Sequence, residues 1–291
     1  MKLVTIDARE VAGRPGVLLD SGQVLDLSAA PGSLESSQWI PQSTISILAA
    51  GERGLEHALG LVALADAGRD KLKQIGALTS LSGTPLMTPV RRPGLILISH
   101  KMGNGVPASF IKSPNTAVGH AVKVSMHGQP ALVANPMFAA VLGKPLYQGS
   151  EDTAEAAICA WTLITDLAPD IPEPETADDW RNYVAVRQFP GSLPMGPALI
   201  TKDELAEPGE LIAHARINGV ESWSGIICPP ASECVARLTE LSQHYAFSPG
   251  DVIAFATAMD SVSSPRQVLK PKDLYSIAVG SVMELGFELS A

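Results

Sequence analysis

Short apolar runs separated by turn residues dominate the first part of the chain. Residues 3–6, 16–20 and 23–27 each have the length and apolar content of a strand, and the turn Asp20-Ser-Gly22 lies between the last two. Residues 51–68 instead repeat apolar positions at spacings of three and four, which predicts an amphipathic helix. The pattern therefore predicts a small leading unit of strands with one helix.

A proline-rich segment, residues 84–93, follows this unit. Proline lacks the backbone N–H and holds its predecessor in extended geometry, so the segment is expected to be a linker. We therefore expect a small α+β domain over residues 1–88 and a larger domain over residues 89–291.

The second part of the chain is rich in strand patterns and poor in helices. Strands are predicted at residues 95–98, 158–166, 252–257, 275–279 and 282–289. Ser150 and Ser232 are expected to cap two short helices, and residues 168–180 are expected to form a surface loop. Strands with sparse short helices favour an α+β fold over a doubly wound parallel sheet.

Composition narrows the functional classes. Of the 291 residues, 46% are hydrophobic and 18% are charged, which is typical of a folded globular protein. The net charge of -9 argues against nucleic acid as a partner, because phosphate binding requires a basic surface. There is no apolar run of membrane-spanning length, and the strand-like beginning does not resemble a signal peptide, so we expect a cytoplasmic protein without membrane contact. Three scattered cysteines indicate neither a disulfide framework nor a zinc site.

A set of short sequence phrases covers nearly the whole chain. No single phrase is decisive, and it is their order along the chain that is informative. Taken together they resemble the fumarylacetoacetate hydrolase family. The phrases are Arg14-Pro-Gly-Val17, Pro89-Val-Arg-Arg-Pro-Gly94, Phe110-Ile-Lys-Ser113, Val141-Leu-Gly-Lys144, Trp161-Thr-Leu-Ile-Thr-Asp166, Phe189-Pro-Gly-Ser-Leu-Pro194, Ser248-Pro-Gly-Asp-Val-Ile253 and Leu269-Lys-Pro-Lys-Asp273.

The resemblance implies a mixed β-roll or β-sandwich catalytic domain, a homodimer, and a divalent cation held by a Glu-x-Glu pair and a following Asp. Such hard oxygen ligands suit Mg²⁺ or Mn²⁺, which would polarise a dicarbonyl or 2-oxo acid substrate. In this chain the two glutamate positions are Asn135 and Met137, and Asp166 stands at the third position. One carboxylate cannot neutralise such a cation, so we expect no metal ligand set and no cofactor.

The remaining family positions are partly retained. Lys112 matches the family lysine, Thr257 retains the hydroxyl of a Gly-Thr pair, and His100 stands in for the usual proton-transfer histidine without the acid three residues later. Arg187 replaces a lysine of the family pattern. The resemblance therefore implies catalytic roles for Asp166, His100 and Lys112, and substrate binding by Thr257. Asn135 does not match the family pattern and is a candidate for substrate binding through its amide. Arg187 either holds a substrate carboxylate in a bidentate fork or lies at the surface.

Each of these residues also has a structural interpretation. Asp166 is either a general base whose pKa is raised by burial or a carboxylate held by backbone N–H groups or an arginine. Lys112, expected at a half-buried strand end, either forms an ordinary ion pair or binds an anionic oxygen. His100 is either a solvated loop residue or a proton-transfer group. It lies before a short glycine-bearing lid with Gly103 and Gly105, which predicts an open pocket for a bulkier substrate.

Three functions follow from these observations. The first is a metal-independent enzyme of hydrolase, lyase or isomerase type that acts on a small anionic oxo or dicarbonyl acid. The second is an inactive protein of the same fold that binds a ligand or serves as a scaffold. The third is a conventional metal-dependent enzyme in which Glu151, Asp152 and Glu155 rebuild the site, although these acids lie on a short predicted helix and are expected to point elsewhere.

Overall fold

The computed structural model describes residues 1–8, 13–30, 41–101, 107–172, 174, 176–257 and 267–291. Its strands are β1 (Lys2–Ile6), β2 (Arg14–Leu18), β3 (Gln23–Asp26), β4 (Leu78–Ser80), β5 (Ile96–Lys101), β6 (Pro107–Lys112), β7 (Ala117–Val118), β8 (Val122–Ser125), β9 (Leu132–Leu142), β10 (Ile158–Pro169), β11 (Leu193–Pro194), β12 (Leu199–Thr201), β13 (Ile212–Ile217), β14 (Val220–Ile226), β15 (Val252–Phe255), β16 (Gln267–Leu269), β17 (Leu274–Val279) and β18 (Met283–Ser290). Its α-helices are α1 (Thr44–Ala49), α2 (Glu52–Ala67), α3 (Arg69–Gln74), α4 (Glu151–Ala157), α5 (Ala177–Ala185) and α6 (Ala231–Ser242).

The strands form two large sheets. The main sheet has the order β4-β3-β2-β1-β12-β10-β9-β15-β5-β6, with β16 also paired to β9. Its pairs are antiparallel except β15 with β5. The second sheet has the order β14-β13-β17-β18-β8, and β7 pairs with β11 separately. The predicted α+β class, with mostly antiparallel sheets and few helices, is confirmed.

The long strands β9 and β10 separate two apolar cores, because successive side chains point to opposite faces of a sheet. Phe138 and Leu163 lie in the core that includes Ile277 and Leu285 of the second sheet. Their neighbours Ala139 and Ile164 lie in the other core, which contains the apolar faces of α1 and α2. The face that carries Ile164 also carries the candidate site.

The leading unit joins the main sheet directly. Lys2 pairs with Ile200 and Leu3 pairs with Leu199, so β1 continues the sheet into β12. The division into domains at residues 88 and 89 therefore stays a prediction about independent folding units within a continuous sheet. Within the described ranges, no helix is both long and apolar enough to cross a membrane.

Two local predictions were wrong and one was confirmed. The expected loop over residues 168–180 contains the beginning of α5, where the Thr176 side chain accepts from the Asp179 N–H (3.1 Å) and Asp179 accepts from the Thr176 N–H (3.0 Å). The prolines and acids before this capping box suggested a loop and concealed the helix. Helix α6 begins at Ala231 after Pro230, so Ser232 lies inside it, whereas Ser150 does cap α4.

Candidate active site

Three ionisable side chains meet where β6, β10 and the end of α5 come together. Lys112, Asp166 and Arg187 are only 0%, 2% and 6% exposed. Lys112 Nζ pairs with Asp166 Oδ1, and Arg187 Nη1 pairs with Asp166 Oδ2. Each carboxylate oxygen is therefore committed to a different cation, and we call these three residues the buried charged cluster.

The strand register fixes the position of Asp166. Asp166 lies directly opposite Asn135 in the β9–β10 pair, and Ile164 lies opposite Met137. Because alternate residues share a face, Asn135, Met137 and Asp166 face the same side, as the resemblance implied. The Asn135 Nδ2 donates to the Asp166 backbone oxygen at 3.0 Å, so its amide connects the two strands.

Arg187 is held from several directions. Its guanidinium carbon lies 3.9 Å from the centre of the Tyr183 ring, and Tyr183 stacks on Trp180 with centroids 5.5 Å apart. The Ser192 hydroxyl donates to the Arg187 backbone oxygen at 2.7 Å, while the Ser192 backbone oxygen accepts from Lys112 Nζ at 3.3 Å. Ser192 thus bridges the two cations of the cluster.

The expectation of a half-buried Lys112 was wrong, because its side chain has no exposed surface. Lys112 lies at the end of β6, and its ammonium group points to Asp166 instead of solvent. Apolar neighbours and the side chains of α5 close over this end of the strand, since Phe110 packs edge-on against Trp180 and Tyr183. The helix that the sequence pattern concealed therefore packs against the strand that carries the lysine.

The buried charged cluster shifts the pKa of two of its members. Burial would raise the pKa of the Asp166 carboxyl, but the adjacent charges of Lys112 and Arg187 outweigh it and hold the pKa below its usual value. The hypothesis of a raised Asp166 pKa was therefore wrong, and the alternative of a carboxylate held by an arginine describes its contacts. Burial and the Arg187 charge lower the Lys112 pKa, despite the opposing effect of Asp166.

A small cavity of about 60 Å³ opens beside the cluster. It brings together five of the six predicted site residues: His100, Asn135, Asp166, Arg187 and Thr257. Lys112 is not among the lining residues and reaches the cavity through its ion pair with Asp166. Gly103 and Gly105 lie outside the described residues, so the bulkier substrate expected from the lid stays a prediction.

Among the lining side chains that sequence reasoning missed are Tyr183, Trp223 and Gln267. Gln267 is buried, and its Oε1 accepts from the Ser222 hydroxyl at 2.5 Å. Tyr183 lies on the unpredicted helix α5, and Trp223 comes from β14 of the second sheet. Neither a motif nor the local pattern connects these positions to the family phrases, so only the tertiary structure reveals them.

The residues at the family's metal position do not fit a divalent cation. Both Asp166 oxygens are engaged by cations, the Asn135 amide nitrogen donates to Asp166, and Met137 offers a soft thioether in a buried setting. The acids proposed to rebuild the site lie on α4 and do not line the cavity, and Glu155 instead pairs with Lys202 at 2.9 Å. The described part of the chain also contains no group of three or more His, Cys, Asp or Glu side chains arranged to hold a metal ion.

Comparisons with known proteins agree with this architecture. The chain is 26% identical to oxaloacetate tautomerase YisK of Bacillus subtilis, over 94% of this chain and 95% of that protein. It is 25% identical to a 2,4-didehydro-3-deoxy-L-rhamnonate hydrolase of Sphingomonas, over 94% and 88% of the two chains. The human mitochondrial oxaloacetate tautomerase FAHD2A is 27% identical over 88% of this chain and 81% of its own.

Solved structures show the same fold. Maleylpyruvate hydrolase from Sphingobium sp. SYK-6 matches with a TM-score of 0.70 at 19% identity, covering 100% of this chain and 99% of that chain. Its complex with manganese(II) and pyruvate matches with a TM-score of 0.68 at 18% identity, with the same coverage. The family model described as fumarylacetoacetate (FAA) hydrolase C-terminal matches residues 99–289, well over half of the chain. The chain therefore belongs to the fumarylacetoacetate hydrolase family.

Proposed function

We propose that this protein is an enzyme that interconverts the keto and enol forms of a small 2-oxo acid by metal-independent acid–base chemistry. The observation that carries the proposal is the buried charged cluster beside a cavity lined by His100 and polar side chains. Two of the relatives named above are oxaloacetate tautomerases, and their similarity extends over most of this chain. Keto–enol conversion requires a proton acceptor and a cation for the developing enolate, and the cavity offers both.

The proposed reaction begins with proton removal by His100. The imidazole takes a proton from the carbon next to the keto group, the C–H electron pair forms the new C=C bond, and the C=O pair moves to oxygen. Arg187 stabilises the resulting enolate oxygen. The imidazolium of His100 then gives the proton to that oxygen, which completes the enol and restores the neutral imidazole, and the same steps in reverse restore the ketone.

The other polar residues have supporting roles in this proposal. Asp166 anchors Arg187 and Lys112 instead of exchanging protons, because both its oxygens are occupied. Lys112 adds positive charge from behind the carboxylate. Asn135 and Thr257 line the cavity and are assigned to hydrogen bonding with the substrate. Fixed charges in a site that excludes water stabilise developing negative charge more strongly than the same charges in solvent.

The experiment follows the disappearance of enol-oxaloacetate by ultraviolet absorption with metal-stripped protein and a chelator present. The wild type is expected to accelerate the conversion, and His100→Asn is expected to lower kcat by about 10²–10⁴, the usual contribution of a positioned acid–base group. Arg181→Lys is the matched control, since the Arg181 side chain lies on α5 but is 81% exposed and pairs with Asp178 at the surface. Wild-type protein that fails to accelerate the reaction, or His100→Asn with full activity, contradicts the proposal.

A second candidate function is ligand binding without turnover. The observation in its favour is the same commitment of both Asp166 oxygens, which removes a carboxylate from proton transfer. This candidate predicts that oxaloacetate binds and protects the protein against thermal unfolding while the enol decays at its uncatalysed rate. The assay above therefore separates the two functions.

The homodimer implied by the resemblance and the cytoplasmic location also remain part of the proposal. Sedimentation velocity tests the first: a mass of twice the 30.5 kDa chain is expected. A monomer at micromolar concentration contradicts it.

A further inference from the structure

We propose that Arg187 takes the place of the divalent cation, and that its guanidinium binds the adjacent carboxylate and keto oxygens of a 2-oxo acid. This inference rests on the proposed function for its substrate class, and it adds the group that replaces the metal and the pair of oxygens that is recognised. The starting observation is that Asp166, the remaining carboxylate at the family's ligand positions, is paired with this side chain.

One nitrogen of the Arg187 guanidinium is engaged by a carboxylate, and another is a donor without a hydrogen-bond partner among the described residues. Nη1 is paired with Asp166, while Nε is buried and has no hydrogen-bond partner within the described residues. A buried donor left without a partner is unfavourable, and Arg187 lines the cavity, so an anionic ligand bound there would supply the missing acceptor. The edge formed by Nε and Nη2 presents two parallel N–H donors, which is the geometry that binds two neighbouring oxygens.

The surroundings hold this edge in place before a ligand arrives. Tyr183 lies under the guanidinium at 3.9 Å, and Asp166 fixes the Nη1 end. Ser192 anchors the Arg187 backbone through its hydroxyl. A lysine at this position would keep the positive charge but would lose both the planar stacking on Tyr183 and the paired donors.

The charge of the cluster suits an anion. When Lys112 is protonated, two cations surround one carboxylate, which leaves one net positive charge in a setting almost free of solvent. A 2-oxo acid brings one negative charge and two adjacent oxygens, and it leaves the buried cations neutralised. The cavity of about 60 Å³ beside Arg187 restricts the rest of the ligand to a few heavy atoms.

The test compares two probes that differ in the second oxygen. Oxamate is a monoanion whose amide carbonyl lies next to its carboxylate, as in a 2-oxo acid, whereas propionate has the same charge and similar size without that carbonyl. Binding of each is measured by titration calorimetry with metal-stripped protein in excess chelator, for wild type, Arg187→Lys and the control Arg181→Lys. Circular dichroism and thermal unfolding establish that each variant is folded.

We expect wild type and Arg181→Lys to bind oxamate at least about tenfold more tightly than propionate, and Arg187→Lys to lose at least about tenfold of its oxamate affinity, the loss typical of one bidentate charge-assisted contact. Equal affinity for both probes, no binding of oxamate, or binding only after Mn²⁺ is added overturns the inference. Unchanged oxamate affinity in folded Arg187→Lys also overturns it. If Arg187→Lys fails to fold, equal wild-type affinity for the two probes still overturns the inference. Because no turnover is measured, an inactive protein that still binds oxamate through Arg187 contradicts the proposed function but leaves this inference intact.

Discussion

Two groups of opposite charges in this protein show what burial does to an ion pair. The buried charged cluster holds Asp166 between Lys112 and Arg187, with side chains at most 8% exposed. On the surface, Glu155 of α4 pairs with Lys202, and these side chains are 59% and 37% exposed. Water screens the surface pair, whereas the interior leaves each charge of the cluster dependent on its partners. Pairs of opposite charge therefore form a structural contact at the surface and a candidate active site in the interior.

The largest effect is expected when the cluster loses its carboxylate. Asp166→Asn leaves two buried cations without a counter-charge, and removing one partner of a buried pair costs about 3–5 kcal/mol. Urea unfolding followed by circular dichroism measures this loss. Glu155→Gln is the surface counterpart and is expected to leave the unfolding midpoint unchanged. Equal effects of the two substitutions would contradict the comparison.

Arg187→Lys keeps the positive charge in the buried charged cluster and removes the paired N–H donors of the guanidinium. Lysine cannot present two parallel donors, so a developing enolate loses part of its stabilisation. We expect kcat for enol-oxaloacetate conversion to fall by about 10²–10³, as when a donor to a developing oxyanion is removed. Arg181→Lys on the same helix is expected to retain wild-type activity, and parallel losses in both variants would point to damage of α5 instead.

Replacing Ser192, which contacts both cations of the cluster, is expected to have a smaller effect. Ser192→Ala removes the hydroxyl that donates to the Arg187 backbone oxygen and keeps the backbone oxygen that accepts from Lys112. The free energy of unfolding is expected to fall by about 1 kcal/mol, the typical net value of one hydrogen bond. Because Arg187 becomes less well positioned, kcat should fall more than KM changes. Restoration by Ser192→Thr would support a positioning role, and an unchanged kcat would refute it.

The last expected effect, a change of stability with pH, is close to zero near neutral pH and appears only in acid. The pKa of Asp166 lies below 3.8 in the folded protein, so its ionic contribution is fully present above about pH 3.8 and is lost as the pH falls through the folded-state pKa. Wild-type stability should therefore approach that of Asp166→Asn only in this acid range. Unfolding curves at several pH values measure the difference, and a difference that stays constant down to strongly acid pH would contradict the assignment.

The sequence predicted the parts of this site that lie on regular strands. Asp166 and Asn135 are adjacent because they lie directly opposite each other in the register of β9 and β10, and the family phrases mark both strands. The burial of Lys112 was not predictable, because its ammonium group points to Asp166 and the end of β6 packs against α5 through Phe110 and Tyr183. The capping box of α5 follows a proline-rich segment that suggested a loop. The arrangement around Arg187 was missed for the same reason, since its position depends on that helix and on Ser192.

The contribution of the second sheet was also beyond the local pattern. Trp223 and Ile226 of β14 reach the cavity through the packing of two sheets, and Gln267 reaches it through β16 beside β9. Contacts between residues so distant in sequence leave no periodic signal in either segment. The candidate list from sequence therefore named the charged residues of the site but omitted much of its wall.

We propose that the charges of the buried charged cluster stabilise the enolate in place of a divalent cation. The most direct measurement is the rate of enol-oxaloacetate conversion by metal-stripped wild type, with excess chelator and again with added Mn²⁺, beside Arg187→Lys. We expect the same wild-type rate in both conditions. The rate of Arg187→Lys is expected to be lower by about 10²–10³, and Mn²⁺ is not expected to restore it. Activity that disappears with the chelator and returns with Mn²⁺ would contradict it.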